Sequence, residues 1–152
     1  MAIAAAEVAC AQTRVALADL SGALIGYETP QNWTTFAQAE RAKWAAYVAE
    51  NVKPGNRPNS YAQAIGVVND LCDPRDRVMA AAGGLPAEVT ANWRTLDIGT
   101  VDVEFGFSCM GYEIAGAWGA RIAQAQREPD NDTITFCGDG SYLMLNSDIY
   151  SS

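Results

Sequence analysis

Hydrophobic residues recur at helical spacing in the first half of the chain, whereas the second half contains short, nearly continuous apolar runs. Residues 13–25 and 32–50 each place apolar side chains on one stripe, which predicts two helices whose aromatic residues lie in a core. A third helix is predicted from Ser60, a residue type that caps helices well. Its apolar face is expected to consist of Tyr61, Ala64, Ile65, Val68, Leu71 and Cys72.

Three apolar runs follow, and each is short enough to be a strand. Residues 77–82 and 133–137 are typical of buried parallel strands, and residues 101–105 alternate weakly. Between them the sequence predicts a helix starting near Leu85 and another, rich in glycine and alanine, running from Gly106. Helices alternating with apolar strands predict a three-layer α/β fold, in which a mainly parallel sheet is flanked by helices.

Composition and charge narrow the chemistry that the chain can carry. The net charge is −8 and the 10 basic residues are scattered, which argues against a nucleic-acid partner. Histidine is absent from the sequence, so Ser-His-Asp and Cys-His mechanisms are excluded within this chain. Any chemistry is therefore expected to come from a cofactor, from carboxylates or from residues of another chain.

The cysteines and the first 12 residues indicate where in the cell the protein is expected. Cys10, Cys72, Cys109 and Cys137 lie far apart without CxxC spacing, which favours free thiols in a reducing cytosol over a zinc site. Residues 1–12 are apolar but short and lack a basic region, so neither a signal peptide nor a membrane span is predicted. We expect a cytoplasmic protein with no membrane partner.

Two glycine-rich turns follow predicted strands, at the end of the strand where parallel sheets bind ligands. One is Gly83-Gly84 and the other is Gly138-Asp139-Gly140-Ser141. In the second, glycines allow close backbone approach, and Asp139 offers a hard oxygen ligand of the kind that Mg²⁺ prefers. A helix starting after Ser141 would add N–H groups that favour an anion. This pattern is typical of a turn that binds a diphosphate together with a metal ion. The tetrapeptide GDGS also occurs in turns between a strand and a helix that bind no ligand.

Longer stretches carry a family resemblance. The run GDGSYLMLNSDI resembles the first half of the signature of thiamine-diphosphate-dependent enzymes, and SCMGYEIAGA, residues 108–117, resembles the segment beneath their cofactor. AGGLP, residues 82–86, resembles their diphosphate-contacting loop. Within the family, these runs are most similar to the hydrolases that open a cyclic 1,2-dione in inositol catabolism. The resemblance is strong over residues 60–150.

The resemblance implies a truncated thiamine-diphosphate-binding domain over residues 59–152, preceded by a linker and helical segment over 1–58. It implies thiamine diphosphate and Mg²⁺ as cofactors, with Asp139 as the metal ligand and Met110 as the wedge beneath the cofactor rings. The remaining implied contacts are Gly138, Gly140 and Ser141 at the diphosphate, Ser108 through its backbone, and Gly83, Gly84 and Leu85. It also implies a homo-oligomer with the cofactor between subunits.

Several parts of the family's site have no counterpart in this sequence. The second metal ligand, an asparagine, and the activating glutamate are expected outside the chain, so the chain alone is expected to be inactive. Glu104 and Glu113 are expected to be structural or to line the cleft. Residues 87–92 lack a histidine expected in the hydrolases, which leaves two alternatives open. One is a decarboxylase or carboligase like acetohydroxyacid synthase, and the other is a non-catalytic α/β remnant or interaction module.

Overall fold

The computed structural model describes residues 13–55 and 57–151, which fall into two compact units divided after Ala42. The thiol of Cys10 and the apolar segment 1–12 lie outside the described residues. Among the residues that are described, no helix is long and apolar enough to cross a membrane.

The two predicted N-terminal helices are confirmed as α1 (Thr13–Ala23) and α2 (Gln31–Asn51), the second of which continues past the division between the units. The prediction that their aromatic residues form a core is wrong. Trp33, Phe36 and Trp44 are 60%, 57% and 53% exposed. An apolar helical stripe becomes a core only where another element covers it, and these side chains remain more than half exposed in the described residues.

The second unit contains the sheet and the remaining helices. The elements are α3 (Tyr61–Leu71), β1 (Arg77–Ala80), α4 (Gly84–Asn92), β2 (Val101–Val103), α5 (Tyr112–Ala125), β3 (Thr133–Phe136) and α6 (Asp139–Ser151). The three strands are parallel and lie in the order β2-β1-β3, which confirms the predicted α/β fold. Each strand is shorter than its apolar run.

Helix α3 begins with a complete capping box. The Ser60 hydroxyl accepts a hydrogen bond from the Gln63 N–H, and the Gln63 side chain accepts one from the Ser60 N–H. The predicted apolar face of this helix is rotated from the observed one, because Tyr61, Ala64 and Leu71 are exposed. The buried face is instead Ala62, Gln63, Ile65 and Gly66. Periodicity located the helix but not the side that its neighbours cover.

Alternate residues of the central strand face different helices, which produces three layers. Val78 and Ala80 lie in a core cluster with Ile65 of α3, Val89 of α4 and Phe136 of β3. On the opposite face Met79 meets α5, where a β carbon at Gly116 would lie 3.2 Å from its Cε. The small residues of α5 thus bring this helix close to the sheet at Gly116, whereas Gly119 has open space around it.

The prediction of a helix from Gly106 is wrong at its start. Helix α5 begins at Tyr112, and residues 104–111 form an irregular segment after β2. The reason is local: the backbone N–H groups of this segment are bonded to carboxylates rather than to a preceding helical turn. We refer to residues 104–111 as the β2 loop.

Candidate cofactor site

The three strands end level with one another. Ala80, Val103 and Phe136, the last residues of β1, β2 and β3, are direct partners in the sheet register. Three loops therefore leave the sheet from a single row, on the edge where α/β proteins bind ligands. The predicted site residues lie in these loops or in the first turns of the helices α4 and α6 that follow them, so the fold brings them to one edge.

The loop after β1 is short and leads directly into α4. Gly83 is the N-cap of α4 with a φ of +123°, a backbone conformation that glycine adopts readily. Both Gly83 and Gly84 are exposed. Leu85 instead packs against the core cluster, so its side chain anchors the loop and only its backbone remains for a ligand contact.

The β2 loop carries Ser108 and Met110. Ser108 has a φ of +53°, the one positive φ of a non-glycine residue in the described parts of the chain. Met110 is 46% exposed, and its neighbours Phe107, Ser108 and Cys109 are exposed as well. The loop therefore presents side chains and backbone to the surroundings instead of burying them. The half-exposed Met110 side chain offers a flexible apolar surface on this loop.

Two glutamates hold the β2 loop. The Glu104 carboxylate accepts hydrogen bonds from the N–H groups of Phe107 and Cys109, each at 2.8 Å. The hydrogen bond from Phe107, and after it the one from Cys109, hold the pKa of Glu104 below its ordinary value. Glu113, fully buried in the first turn of α5, accepts a hydrogen bond at 2.9 Å from the N–H of Gly111. Both glutamates are structural in this sense, as expected from the sequence.

The loop after β3 passes directly into α6. Gly138 precedes the helix, and Asp139 is its first residue rather than the end of a strand. Asp139 is exposed, and its Oδ1 accepts a hydrogen bond at 3.0 Å from the N–H of Gly140. Ser141, in the first turn of α6, is buried. A β carbon at Gly138 or Gly140 would meet nothing within 4 Å, which leaves open space beside the backbone.

This edge of the sheet offers a metal ion one carboxylate ligand rather than a complete set of protein ligands. No group of three or more His, Cys, Asp or Glu residues that could hold a metal exists within residues 13–55 and 57–151. Mg²⁺, however, is usually held by one or two carboxylates together with phosphate oxygens and water. An exposed Asp139 at a helix N-terminus, beside open glycine backbone, fits a metal-bound diphosphate.

The sequence pattern predicted the loops but not the carboxylates that accept hydrogen bonds from the backbone of the β2 loop. The roles of Glu104 and Glu113 depend on N–H groups that lie two to five residues away in an irregular loop. The one signal available was an acidic residue placed directly after a strand and another near a helix start. Tyr112, also not singled out, donates from its hydroxyl to Asp102 of β2 at 3.3 Å. Burial, and then Asp102, raise the pKa of Tyr112.

Part of the chain is similar to a known family. Residues 81–151 match the family described as "Thiamine pyrophosphate enzyme, C-terminal TPP binding domain". The matched region starts at the end of β1 and includes all three loops.

Curated relatives cover a similar region. The chain is 44% identical over 88 residues to the 3D-(3,5/4)-trihydroxycyclohexane-1,2-dione hydrolase of Geobacillus thermodenitrificans (strain NG80-2). It is 38% identical over 89 residues to the hydrolase of the same name from Clostridium botulinum (strain Eklund 17B / Type B). These matches cover 58% and 59% of this chain and 13% of each relative, so the chain corresponds to a small part of those enzymes. Residues 81–151 of this chain are thus similar to the C-terminal TPP-binding domain of thiamine pyrophosphate enzymes.

Proposed function

We propose that the carboxyl edge of the sheet binds thiamine diphosphate with Mg²⁺, as part of a C–C bond hydrolase acting on a cyclic 1,2-dione of inositol catabolism. The observation that carries the proposal is the level ending of β1, β2 and β3, which places the three motif loops in one row. The names of the relatives support the choice of a hydrolase over a decarboxylase or carboligase.

Each loop has a distinct part in the proposed site. Asp139 ligates the metal, and the backbone N–H groups of Gly138, Gly140 and Ser141 contact the diphosphate. Gly83, Gly84 and the backbone of Leu85 approach the same group from the loop after β1. Ser108 contributes a backbone contact at the ring end of the cofactor, where Met110 supports the rings with its half-exposed side chain.

The bound cofactor supplies a nucleophilic carbon and an electron sink for cleavage of a C–C bond beside a carbonyl. The residues of this chain bind and orient that group. Asp139 would offset part of the metal charge, the glycine backbone would admit the diphosphate, and Met110 would exclude water from one side of the rings. In this proposal the ring opens to 5-deoxyglucuronate in a cytoplasmic homo-oligomer, with the remaining catalytic groups supplied from outside residues 1–152.

Calorimetric titration of the 152-residue chain with thiamine diphosphate tests the cofactor site. We expect saturable binding that requires Mg²⁺ and is weakened at least tenfold, or about 1.4 kcal/mol, by Asp139→Ala. Asp130→Ala is the matched control, because Asp130 is also exposed but lies in the turn before β3, at the opposite edge of the sheet. Binding that Asp139→Ala leaves unchanged would contradict the proposed site, and so would failure to bind thiamine diphosphate by the folded full-length chimera described next.

The hydrolase assignment needs a separate experiment. The matching 88-residue region of the Geobacillus thermodenitrificans relative can be replaced by the corresponding residues of this chain. We expect the chimera to open the cyclic dione, measured by mass spectrometry of the product. A chimera that folds and binds thiamine diphosphate but leaves the dione intact would contradict the substrate while leaving the cofactor site in place.

A further inference from the structure

The backbone of the β2 loop is bonded in an alternating pattern. The N–H groups of Phe107, Cys109 and Gly111 all donate to carboxylates, the first two to Glu104 and the third to Glu113. Hydrogen bonds to a charged acceptor are about twice as strong as those between neutral groups. Ser108 and Met110, the two residues between these anchored positions, are those that the proposed site uses.

Packing of side chains does not account for the shape of this loop. Phe107 is 92% exposed and Met110 46%, and Ser108 and Cys109 are exposed too. Ser108 adopts a φ of +53°, which a residue other than glycine adopts at a cost of about 1–2 kcal/mol. An exposed loop with a strained residue keeps one conformation only if something over-determines it. The carboxylate bonds on both sides of Ser108 supply that constraint.

Glu113 is an unusual residue to find in this position. It is fully buried, and its second oxygen, Oε1, has no hydrogen-bond partner among the described residues. Burying a carboxylate with an unpaired oxygen costs stability, so its presence is not explained by stability alone. Its location in the first turn of α5 offsets part of that cost, since helix N-termini favour negative charge.

We propose that Glu104 and Glu113 are positioning residues that fix the backbone of Ser108–Met110 for the ring end of the cofactor. This inference rests on the proposed function, because it assigns the loop to the rings and the Asp139 loop to the diphosphate. It separates the site into two parts that respond differently to substitution. Loss of the carboxylates disturbs the ring end and leaves the diphosphate end intact.

The two parts can be probed with two ligands. Thiamine diphosphate engages both ends of the site, whereas inorganic pyrophosphate with Mg²⁺ engages only the diphosphate end. Calorimetric titration of each ligand into the 152-residue chain compares wild type with Glu104→Ala, Glu104→Gln, Glu113→Ala and Glu113→Gln. Glu28→Ala is the matched control, because Glu28 is an exposed carboxylate in the other compact unit.

A graded result is expected. We expect Glu104→Ala to weaken the binding of thiamine diphosphate at least tenfold and the binding of pyrophosphate less than twofold. Glu104→Gln should have an intermediate effect, because an amide offers one acceptor oxygen for two N–H groups. Glu113→Gln should bind thiamine diphosphate nearly as tightly as wild type, since its amide oxygen can still accept a hydrogen bond from the Gly111 N–H. Glu113→Ala should weaken that binding. The inference would be overturned if the alanine variants lost affinity for both ligands equally, or lost affinity for neither. An effect of general stability cannot produce the difference between the two ligands.

Amide hydrogen exchange provides a readout that needs no ligand. In the free chain, Glu104→Ala should speed exchange at Phe107 and Cys109, and Glu113→Ala should do so at Gly111, while far-ultraviolet circular dichroism confirms folding. If the wild-type chain binds neither ligand, hydrogen exchange by itself decides whether the two carboxylates hold the loop. Unchanged exchange at Phe107 and Cys109 in Glu104→Ala would show that Glu104 does not hold the loop.

Discussion

Leu145 lies against the backbone of Gly111 so closely that a β carbon at position 111 would be 2.4 Å from Leu145 Cδ1. Gly111 also has a φ of +95°, and Leu145 departs from helical geometry at the kink of α6. The β2 loop and the helix that follows Asp139 are thus joined at one contact. The contact on α6 is at Leu145, six residues beyond Asp139, so it joins the end of the β2 loop to the body of the helix.

Substitution Gly111→Ala should therefore destabilise the domain. The added methyl group meets Leu145, and the left-handed backbone disfavours any side chain, so we expect the free energy of unfolding to fall by about 2–4 kcal/mol. Urea denaturation followed by tryptophan fluorescence measures the change.

Two controls separate the causes of that loss. Gly119→Ala lies within α5, where an added β carbon meets nothing within 4 Å, and should raise stability by about 0.5–1 kcal/mol. Adding Leu145→Ala to Gly111→Ala removes the clash but not the backbone strain, so it should recover part of the loss. An unchanged stability in Gly111→Ala would mean that Leu145 moves aside freely.

The hydrogen bonds of Glu104 should depend on pH. Because its pKa is lowered in the folded chain from an ordinary 4.5, their stabilisation is complete above that value and is lost as pH falls through the lowered pKa. Exchange protection at Phe107 and Cys109 should persist at pH 5 and decline only under more acidic conditions. In Glu104→Ala the protection should be weak at every pH, and protection in wild type that already declines above pH 5 would contradict the prediction.

Cys109 should be the first of the described thiols to react. It is exposed on the β2 loop, whereas Cys72 and Cys137 are half-buried. Burial raises the pKa of both half-buried thiols, so less of the reactive thiolate is present near pH 7.5. Pulsed iodoacetamide labelling with peptide mass spectrometry should give a rate at Cys109 at least tenfold higher. Bound thiamine diphosphate should slow it, and equal rates at Cys72 or Cys137 would refute the prediction.

Asp76 should stabilise the opposite edge of the sheet. Its two oxygens accept hydrogen bonds from the N–H groups of Asp73 and Asp132, at 2.8 and 2.7 Å, and so connect the turns before β1 and β3. Asp76→Ala should lower the free energy of unfolding by about 1–3 kcal/mol, with Asp76→Asn closer to wild type. Asp130→Ala, in the same region but exposed, should stay within about 0.5 kcal/mol. A similar loss in both alanine variants would contradict the role of Asp76.

Much of the fold could be predicted from local pattern. Apolar runs ending in glycine marked β1 and β3, and Ser60 followed by Gln63 marked the start of α3. Such features depend on residues close in sequence, so the sequence alone is enough to recognise them. The start of α5 was missed because Glu104 and Glu113 compete for the N–H groups that a helix would use, and local periodicity does not record that competition.

The sequence by itself determined the α/β class and the parallel strands, and it supplied the candidate residues for a diphosphate and a metal. Only the tertiary structure decided that the three loops start in one row and that α3 buries Ile65 and Gly66 rather than Tyr61 and Leu71. It also decided that two carboxylates accept hydrogen bonds from the backbone on either side of Ser108 and Met110. The physical reason is that strand register, helix rotation and long loops are set by contacts between elements, which act across distances that local sequence pattern does not encode.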